Sequence, residues 1–150
     1  MQAWEVATVS EPYVELLVAS QDYVNWDGWA YDQFLDELSD TPDMASLELA
    51  ESINRTFWES GDSTISTIDL EYLQTFNEEL NALSTELMAQ PSPSIIPIAD
   101  QTYSPDGAYG QDHDLFALLD ILQREGQTAS IQNKAEELIQ IQNSLVPHNF

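Results

Sequence analysis

The sequence contains no cysteine, and this absence excludes every function that needs a thiol from this chain. Without cysteine the chain forms no disulfide, supplies no thiolate to a metal centre and carries no cysteine nucleophile. Disulfides are the usual sign of an oxidising compartment, so cysteine usage leaves the compartment undetermined here.

Basic residues are almost as scarce. Three basic residues stand against 27 acidic ones, which gives a net charge of −24 and a pI of about 4.1. Nucleic-acid grooves and surfaces for anionic lipids need clustered cations, whereas Arg55, Arg124 and Lys134 lie far apart. We therefore expect no nucleic-acid partner and no membrane partner. Basic peptides, metal ions and the DNA-binding face of another protein remain candidates.

Long apolar runs are also missing. No segment approaches the roughly 20 residues that span a bilayer. The first 20 residues contain three glutamates and no Lys or Arg, so we expect no signal peptide in this chain. The 43% hydrophobic and 10% aromatic content is nevertheless sufficient for the core of one folded domain.

Local patterns predict a helix-rich chain with two strands. The strands are predicted from short β-branched or apolar runs, at residues 13–20 and 63–68. Helices are predicted wherever apolar residues recur at steps of three and four. The predicted helices cover residues 1–10, about 31–38, 46–59, a long segment after Asp69, 112–123 and about 131–145. The proline- and glycine-rich residues 90–110 are predicted to form a loop.

Two kinds of local pattern, an apolar stripe and helix caps, support the predicted helices. Leu73, Phe76, Leu80, Leu83 and Leu87 form one apolar stripe, which indicates a core-facing helix. Helix caps are also recognisable: Asp69 precedes the long helix, Asp112 or Asp114 precedes the next helix and Gly126 ends it, and Thr128 or Ser130 precedes the last.

Spacing and composition alone give no catalytic constellation. The two histidines, His113 and His148, lack the HExxH spacing, and both are interpreted as surface residues. The segment that starts at Tyr23 imitates an EF-hand loop but lacks its first and twelfth ligands. We expect no cofactor, although the acidic residues between Asp106 and Asp114 leave calcium binding open.

Five ordered segments resemble the clostripain-like cysteine peptidases. They are E-V-A at 5–7, the apolar run 13–21 ending V-A-S-Q, D-G-W-A-Y at 27–31, T-I-S-T-I-D-L at 64–70 and D-L-F at 114–116. The resemblance implies the C-terminal part of a caspase-like α/β fold, helix-rich, with two strands and five to six helices. It also implies a partial peptidase domain over 1–150, divided into a strand, pocket and long-helix part (1–89), the loop 90–110 and C-terminal helices (111–150).

The resemblance further implies a Cys–His dyad and cleavage after Arg or Lys. The family's D-x-C-x-M pattern, aligned on Met1, places the cysteine two positions before this chain begins, and His113 and His148 match no catalytic position. We therefore expect this chain to be inactive alone and to need a complementary segment carrying Cys and His. The intact family enzyme is expected to be extracellular or in the cell envelope.

The implied substrate pocket follows the first strand. The resemblance assigns it to Ser20, Gln21 and the loop that ends at Asp27, with Trp26 as a wall. Asp27 is predicted to pair with the Arg or Lys of a peptide substrate. The alternative interpretation is that Asp27 caps a helix opening at Gly28 or Trp29.

Two other predictions remain open at this stage. The charge of −24 is also typical of a non-catalytic acidic module that mimics DNA or inhibits a basic partner. In addition, an incomplete sheet would leave strand edges unpaired, which predicts self-association of the isolated chain.

Overall fold

The computed structural model describes residues 4–20, 28–59, 65–91, 101–102 and 114–149. The helix-rich α/β fold predicted from the sequence is confirmed, with six α-helices within these residues. The helices are α1 (Trp4–Ser10), α2 (Tyr31–Asp40), α3 (Ser46–Glu59), α4 (Leu73–Met88), α5 (Leu115–Glu125) and α6 (Ala129–Leu145). Among the described residues, no helix combines the length and apolarity that crossing a membrane would need.

The strands form one antiparallel sheet in the order β1-β2-β3, where β1 is Leu16–Ala19, β2 is Ser66–Asp69 and β3 is His148–Asn149. Leu17 pairs with Ile68, and Thr67 pairs with His148. The two predicted strands are confirmed but shorter than expected. The two-residue β3 was not predicted, because two residues carry no periodic signal.

The chain divides into two compact units. The first, called the sheet unit, comprises Met1–Leu73 and Ser144–Phe150. In the sheet unit α3 packs on all three strands and on α2. Its core contains Phe57, Ile65 and Ile68, which are 1%, 0% and 6% exposed. Helix α3 is therefore the element that holds the sheet and α2 together.

The second unit, called the helical unit, comprises Gln74–Asn143. Its core is apolar and comes from three helices: Phe76 and Leu83 of α4, Leu119 and Leu122 of α5, and Ile131, Ala135 and Leu138 of α6 are all buried. The predicted stripe of α4 is confirmed, since Phe76 and Leu83 are buried and Leu80 and Leu87 are half-buried.

Side-chain caps define several helix ends. Asp114 caps α5 by accepting hydrogen bonds from the backbone N–H groups of Phe116 (2.9 Å) and Ala117 (3.1 Å). Thr128 rather than Ser130 caps α6, since Thr128 Oγ1 accepts a bond from the Ile131 N–H. Asp69 caps a short 3₁₀ turn, Leu70–Tyr72, that precedes α4. The cap signals therefore predict the starts of α5 and α6 within two residues, whereas α4 begins three residues later than a cap at Asp69 predicts.

Candidate functional site

Three of the four predicted pocket residues, Gln21, Trp26 and Asp27, lie outside the described residues. The fourth, Ser20, directly follows β1 and is 2% exposed. A buried hydroxyl at the end of a strand is unusual for serine, which is mostly exposed in proteins. Ser20, at the start of the predicted pocket segment, is therefore buried in the sheet unit.

Gly28 and Trp29 directly follow this segment in the sequence. Gly28 has φ +73°, a backbone conformation that side-chain-bearing residues rarely adopt. The space beside it is open, since an added Cβ would meet only the Tyr31 ring at 3.9 Å. The backbone turn into α2 is therefore what requires glycine here.

The alternative role of Asp27 as a helix cap is wrong. Helix α2 begins at Tyr31, and Ala30 occupies its N-cap position without any side-chain cap hydrogen bond. The helix thus starts later than a cap at Asp27 requires. Residues 28–30 lead into α2 without regular secondary structure.

An aromatic cluster anchors this turn. The Trp29 ring stacks on Tyr31 (centroids 6.5 Å apart, 18° between planes) and meets Phe57 of α3 edge-on (6.1 Å, 67°). Tyr31 in turn contacts Phe34 at 5.5 Å. Phe57 and Phe34 are buried, whereas Tyr31 is 58% exposed. Aromatic pairs of this geometry stabilise beyond their buried area, so Phe57 fixes the turn against α3.

A charged clamp joins α2 to α3. Arg55 Nη2 donates to both carboxylate oxygens of Glu37 at 2.7 Å, and Ser52 Oγ donates to Glu37 Oε2 at 2.6 Å. The hydrogen bond from Arg55 and, to a lesser extent, the one from Ser52 lower the pKa of Glu37, and the hydrogen bond that Arg55 donates to Glu37 raises the pKa of Arg55. One of the three basic residues is therefore used to hold the helix that follows the pocket segment.

A buried polar pair joins α3 to the sheet. Asn54 Nδ2 donates to Thr67 Oγ1 of β2 at 2.9 Å, and both residues are 0% exposed. Asn54 Oδ1 is buried with no hydrogen-bond partner among the described residues. Neither this pair nor the Glu37–Arg55 clamp was predicted, because both join residues distant in sequence. The only sequence signal was the rarity of Arg55 itself.

The end of β1, the start of α2 and α3 form a platform that the aromatic and polar contacts described above hold together. Within the described ranges no three His, Cys, Asp or Glu side chains lie close enough together to hold a metal ion. Asp114, a predicted calcium candidate, is occupied as the cap of α5, whereas Asp106, Asp112 and His113 lie outside the described residues. Chemically, the platform can hold a binding segment between the end of β1 and the start of α2.

Comparisons with known proteins identify one matching family and two similar solved structures. The model of the clostripain family matches residues 1–150. A clostripain from Bacteroides thetaiotaomicron in complex with the peptide inhibitor BTN-VLTK-AOMK matches with a TM-score of 0.73 and 18% identity. A secreted C11 cysteine protease from the same organism, in complex with an irreversible peptide inhibitor, matches with a TM-score of 0.61 and 17% identity.

Both structural matches cover all of this chain but only 63% and 41% of the chains in those structures. At these identities the similarity establishes the fold. A comparison with curated proteins found no match.

Proposed function

Because this chain belongs to the clostripain family of cysteine peptidases, we propose that it forms one part of a cysteine endopeptidase that cleaves after Arg or Lys. The resemblance predicted from the sequence is confirmed by the family match and by the two structures. The chain spans less than two thirds of the length of those structures, so the activity is proposed for a larger assembly of which this chain is a part.

One observation carries the proposal: the family match extends over all 150 residues, and none of them is cysteine. A cysteine peptidase needs a thiolate that a nearby imidazole activates, and no other side chain in this sequence replaces the sulfur. We propose that a complementary segment supplies Cys and His. The dyad needs no metal or organic cofactor for hydrolysis, and calcium binding by residues 106–114 remains a separate prediction.

The proposed contribution of this chain is the wall of the substrate pocket. Ser20 at the end of β1 and Gly28 before α2 bracket residues 21–27. The aromatic cluster and the Glu37–Arg55 clamp connect the α2 end of this bracket to α3. We propose that Asp27 pairs with the basic side chain of the substrate, with Gln21 and Trp26 beside it. The lysine in the VLTK inhibitor of the similar clostripain complex supports this preference.

The setting proposed for the intact enzyme is extracellular or the cell envelope. The description of one similar structure as a secreted protease supports this proposal.

The first test compares the chain alone with the chain plus the polypeptide encoded upstream of it in its gene. Fluorogenic peptides ending in Arg, Lys or, as a control, Leu report turnover. We expect no turnover by the chain alone and thiol-sensitive turnover of the Arg and Lys peptides by the combination. Thiol-sensitive turnover by the chain alone would contradict the proposal. An upstream stop codon with an independent promoter would favour the acidic binding module instead.

The second test removes the charge proposed to select the substrate. In the active combination, Asp27→Asn keeps the size of the side chain but leaves the substrate cation unpaired. Breaking a partly buried ion pair costs about 3–5 kcal/mol. At about 1.36 kcal/mol per decade, kcat/KM for Arg and Lys peptides should fall roughly a hundredfold or more.

The matched control is Asp32→Asn in the first turn of α2, where the side chain is exposed. It should leave kcat/KM nearly unchanged. Asp27 would be removed from the pocket if its variant kept both the efficiency and the preference for basic residues.

A further inference from the structure

All three basic residues of this chain lie within helices. Arg55 belongs to α3, Arg124 to α5 and Lys134 to α6, and the segments between the helices contain no Lys or Arg. A peptidase that cleaves after Arg or Lys therefore meets cleavage sites in this chain only inside helices. Peptidases nick exposed and unfolded segments, so a helical site must first unwind, and its cleavage follows the population of the locally opened state.

The sites after Arg55 and Lys134 are protected by the helices around them. The carbonyl of each residue lies within its helix, where it accepts the backbone N–H four residues later. The residues that follow them, Thr56 and Ala135, are 1% and 0% exposed. Cleavage at either site would require the interior of a helix to unwind and a buried side chain to be exposed, which keeps the opened population low.

The site after Arg124 is the least protected of the three. Arg124 lies in the last turn of α5, which ends at Glu125. The Arg124 carbonyl has no N–H partner within the helix, because the last four carbonyls of a helix lack one. Arg124 and Glu125 are exposed, and so are the four residues after Gly126. Since helix ends fray first, this site needs the smallest opening.

Gly126 ties this end of α5 to α6. It is buried, its N–H donates to Leu122 C=O at 2.8 Å, and its C=O accepts from Gln132 Nε2 at 3.0 Å. A Cβ at this position would clash with the Leu122 carbonyl oxygen and with Cγ2 of Ile131, so the close approach requires glycine. The hydrogen bond from Gln132 therefore resists the unwinding of α5 after Arg124.

We propose that the assembled peptidase, which consists of this chain and the complementary segment, cleaves this chain at the Arg124–Glu125 bond, and that the hydrogen bond from Gln132 to Gly126 sets the rate. This inference rests on the proposed function, because it requires cleavage after Arg or Lys. The net step is hydrolysis: the Arg124–Glu125 peptide bond breaks, and water gives its hydroxyl to the Arg124 carbonyl carbon and its hydrogen to the Glu125 nitrogen.

The cut separates residues 125–150 from the rest of the chain. This fragment contains α6, whose Ile131, Ala135 and Leu138 are buried in the core of the helical unit. It also contains β3, which pairs with β2 in the sheet unit. Both units therefore lose packed or paired residues when the fragment dissociates. Cleavage at this site is a self-inactivation that limits the lifetime of the assembled peptidase.

The first test follows the mass of this chain by mass spectrometry in two incubations. One contains the assembly of the chain with the upstream-encoded polypeptide. The other contains the same assembly with its cysteine replaced by alanine, together with trypsin, which also cleaves after Arg and Lys. In both, fragments 1–124 and 125–150 should form at least about tenfold faster than any cut after Arg55 or Lys134.

Two substitutions at basic residues provide the next comparison. Arg124→Gln should keep the chain intact over the same period, and the peptidase activity of the assembly should decay more slowly. Lys134→Gln removes the same charge from α6 and should change neither result. Short synthetic peptides around the three basic residues are the control for sequence preference. The Arg124 peptide should not be cleaved faster than the other two, because the fold selects this site.

A further pair of variants tests the tie to α6. Gln132→Met keeps the length of the side chain but removes the donor to Gly126, so the cut after Arg124 should become about threefold to tenfold faster. Its control is Gln140→Met at an exposed position of the same helix, which should leave the rate unchanged.

The outcomes distinguish this inference from the proposed function. If the assembly cleaves Arg and Lys peptides but leaves this chain intact or cuts it first at another basic residue, the inference is wrong and the function stands. If trypsin cuts first after Arg124 but the assembly cleaves no Arg or Lys peptide, the labile bond stands, and the proposed function and self-cleavage both fail. Equal rates for wild type and Gln132→Met would overturn the role of the tie. Activity that persists undiminished after complete cleavage would overturn the self-inactivation.

Discussion

Among the described residues, the sheet unit buries more polar side chains and exposes more large apolar side chains than the helical unit does. Among the described residues, the buried polar side chains of the sheet unit are Ser20, Ser52, Asn54, Thr56, Ser66 and Thr67, and that of the helical unit is Thr102. Of the exposed large hydrophobic residues, Met88 belongs to the helical unit and all the others belong to the sheet unit. Within the described part of the chain, the sheet unit therefore exposes more large apolar side chains than the helical unit does.

The pocket that we propose lies in the sheet unit. Buried polar groups must find partners, so they fix one arrangement of the elements around them. In the sheet unit such groups surround the end of β1 and the face of α3, next to the proposed pocket. The described buried side chains of the helical unit are apolar apart from Thr102.

The largest effect should follow from damage to the apolar core of the helical unit. Phe76 is 0% exposed and meets Phe116 edge-on at 6.3 Å. Phe76→Ala should lower the free energy of unfolding by about 3–5 kcal/mol, because it leaves a cavity as well as losing apolar contact. Urea denaturation measures this loss.

The control is Met88→Ala at the other end of the same helix, where Met88 is 82% exposed. It should change the free energy of unfolding by less than about 0.5 kcal/mol. Equal effects of the two substitutions would show that α4 does not depend on a tightly packed apolar face.

The helical unit is also the part that the sequence predicts best. The stripe on α4 repeats at steps of three and four residues, and the caps at Asp114 and Thr128 accept hydrogen bonds from N–H groups two or three residues away. Gly126 ends α5 as predicted, with its N–H donating to Leu122 C=O at 2.8 Å. Helix periodicity and capping are properties of neighbouring residues, so one sequence is enough to find them.

The contacts that hold the sheet unit together are harder to predict from the sequence, because they join residues that are distant in the chain. Asn54 and Thr67 are 13 residues apart and Glu37 and Arg55 are 18 apart, with no pattern that links them. The third strand contains only two residues. Here the family resemblance, carried by motifs in order, gave the correct fold where propensity could not. The role of Asp27 still rests on that resemblance alone.

An intermediate effect is expected from the buried polar pair of the sheet unit. Thr67→Val keeps the shape of the side chain but leaves Asn54 Nδ2 buried without its acceptor, which should cost about 1–3 kcal/mol. The double variant Asn54→Leu with Thr67→Val should lose less than the sum of the two single losses, since both polar partners are then gone. Urea denaturation of all four proteins closes the cycle.

The isosteric control is Thr85→Val on the exposed face of α4. It should alter the free energy of unfolding by less than about 0.5 kcal/mol. Strict additivity in the Asn54 and Thr67 cycle would show that the pair makes no specific contribution, and the contrast between the two units would then rest on exposed residues only.

The smallest effect concerns the Glu37–Arg55 clamp, and pH reveals it. Hydrogen bonds from Arg55 and Ser52 lower the pKa of Glu37 in the folded state below its ordinary value of 4.5. The stabilisation is therefore fully present above about pH 4.5 and is lost as the pH falls through the lower, folded-state pKa.

Glu37→Gln removes this titration, so the stability difference between wild type and variant should be constant from pH 7 to 5 and shrink below that range. Protonation of the many other carboxylates affects both proteins equally and cancels in the difference. The matched variant Glu136→Gln, at an exposed position of α6, is the control for the loss of one surface carboxylate. If the difference for Glu37 stays constant down to pH 3, the carboxylate is not held by Arg55 in solution, and the clamp does not position α2.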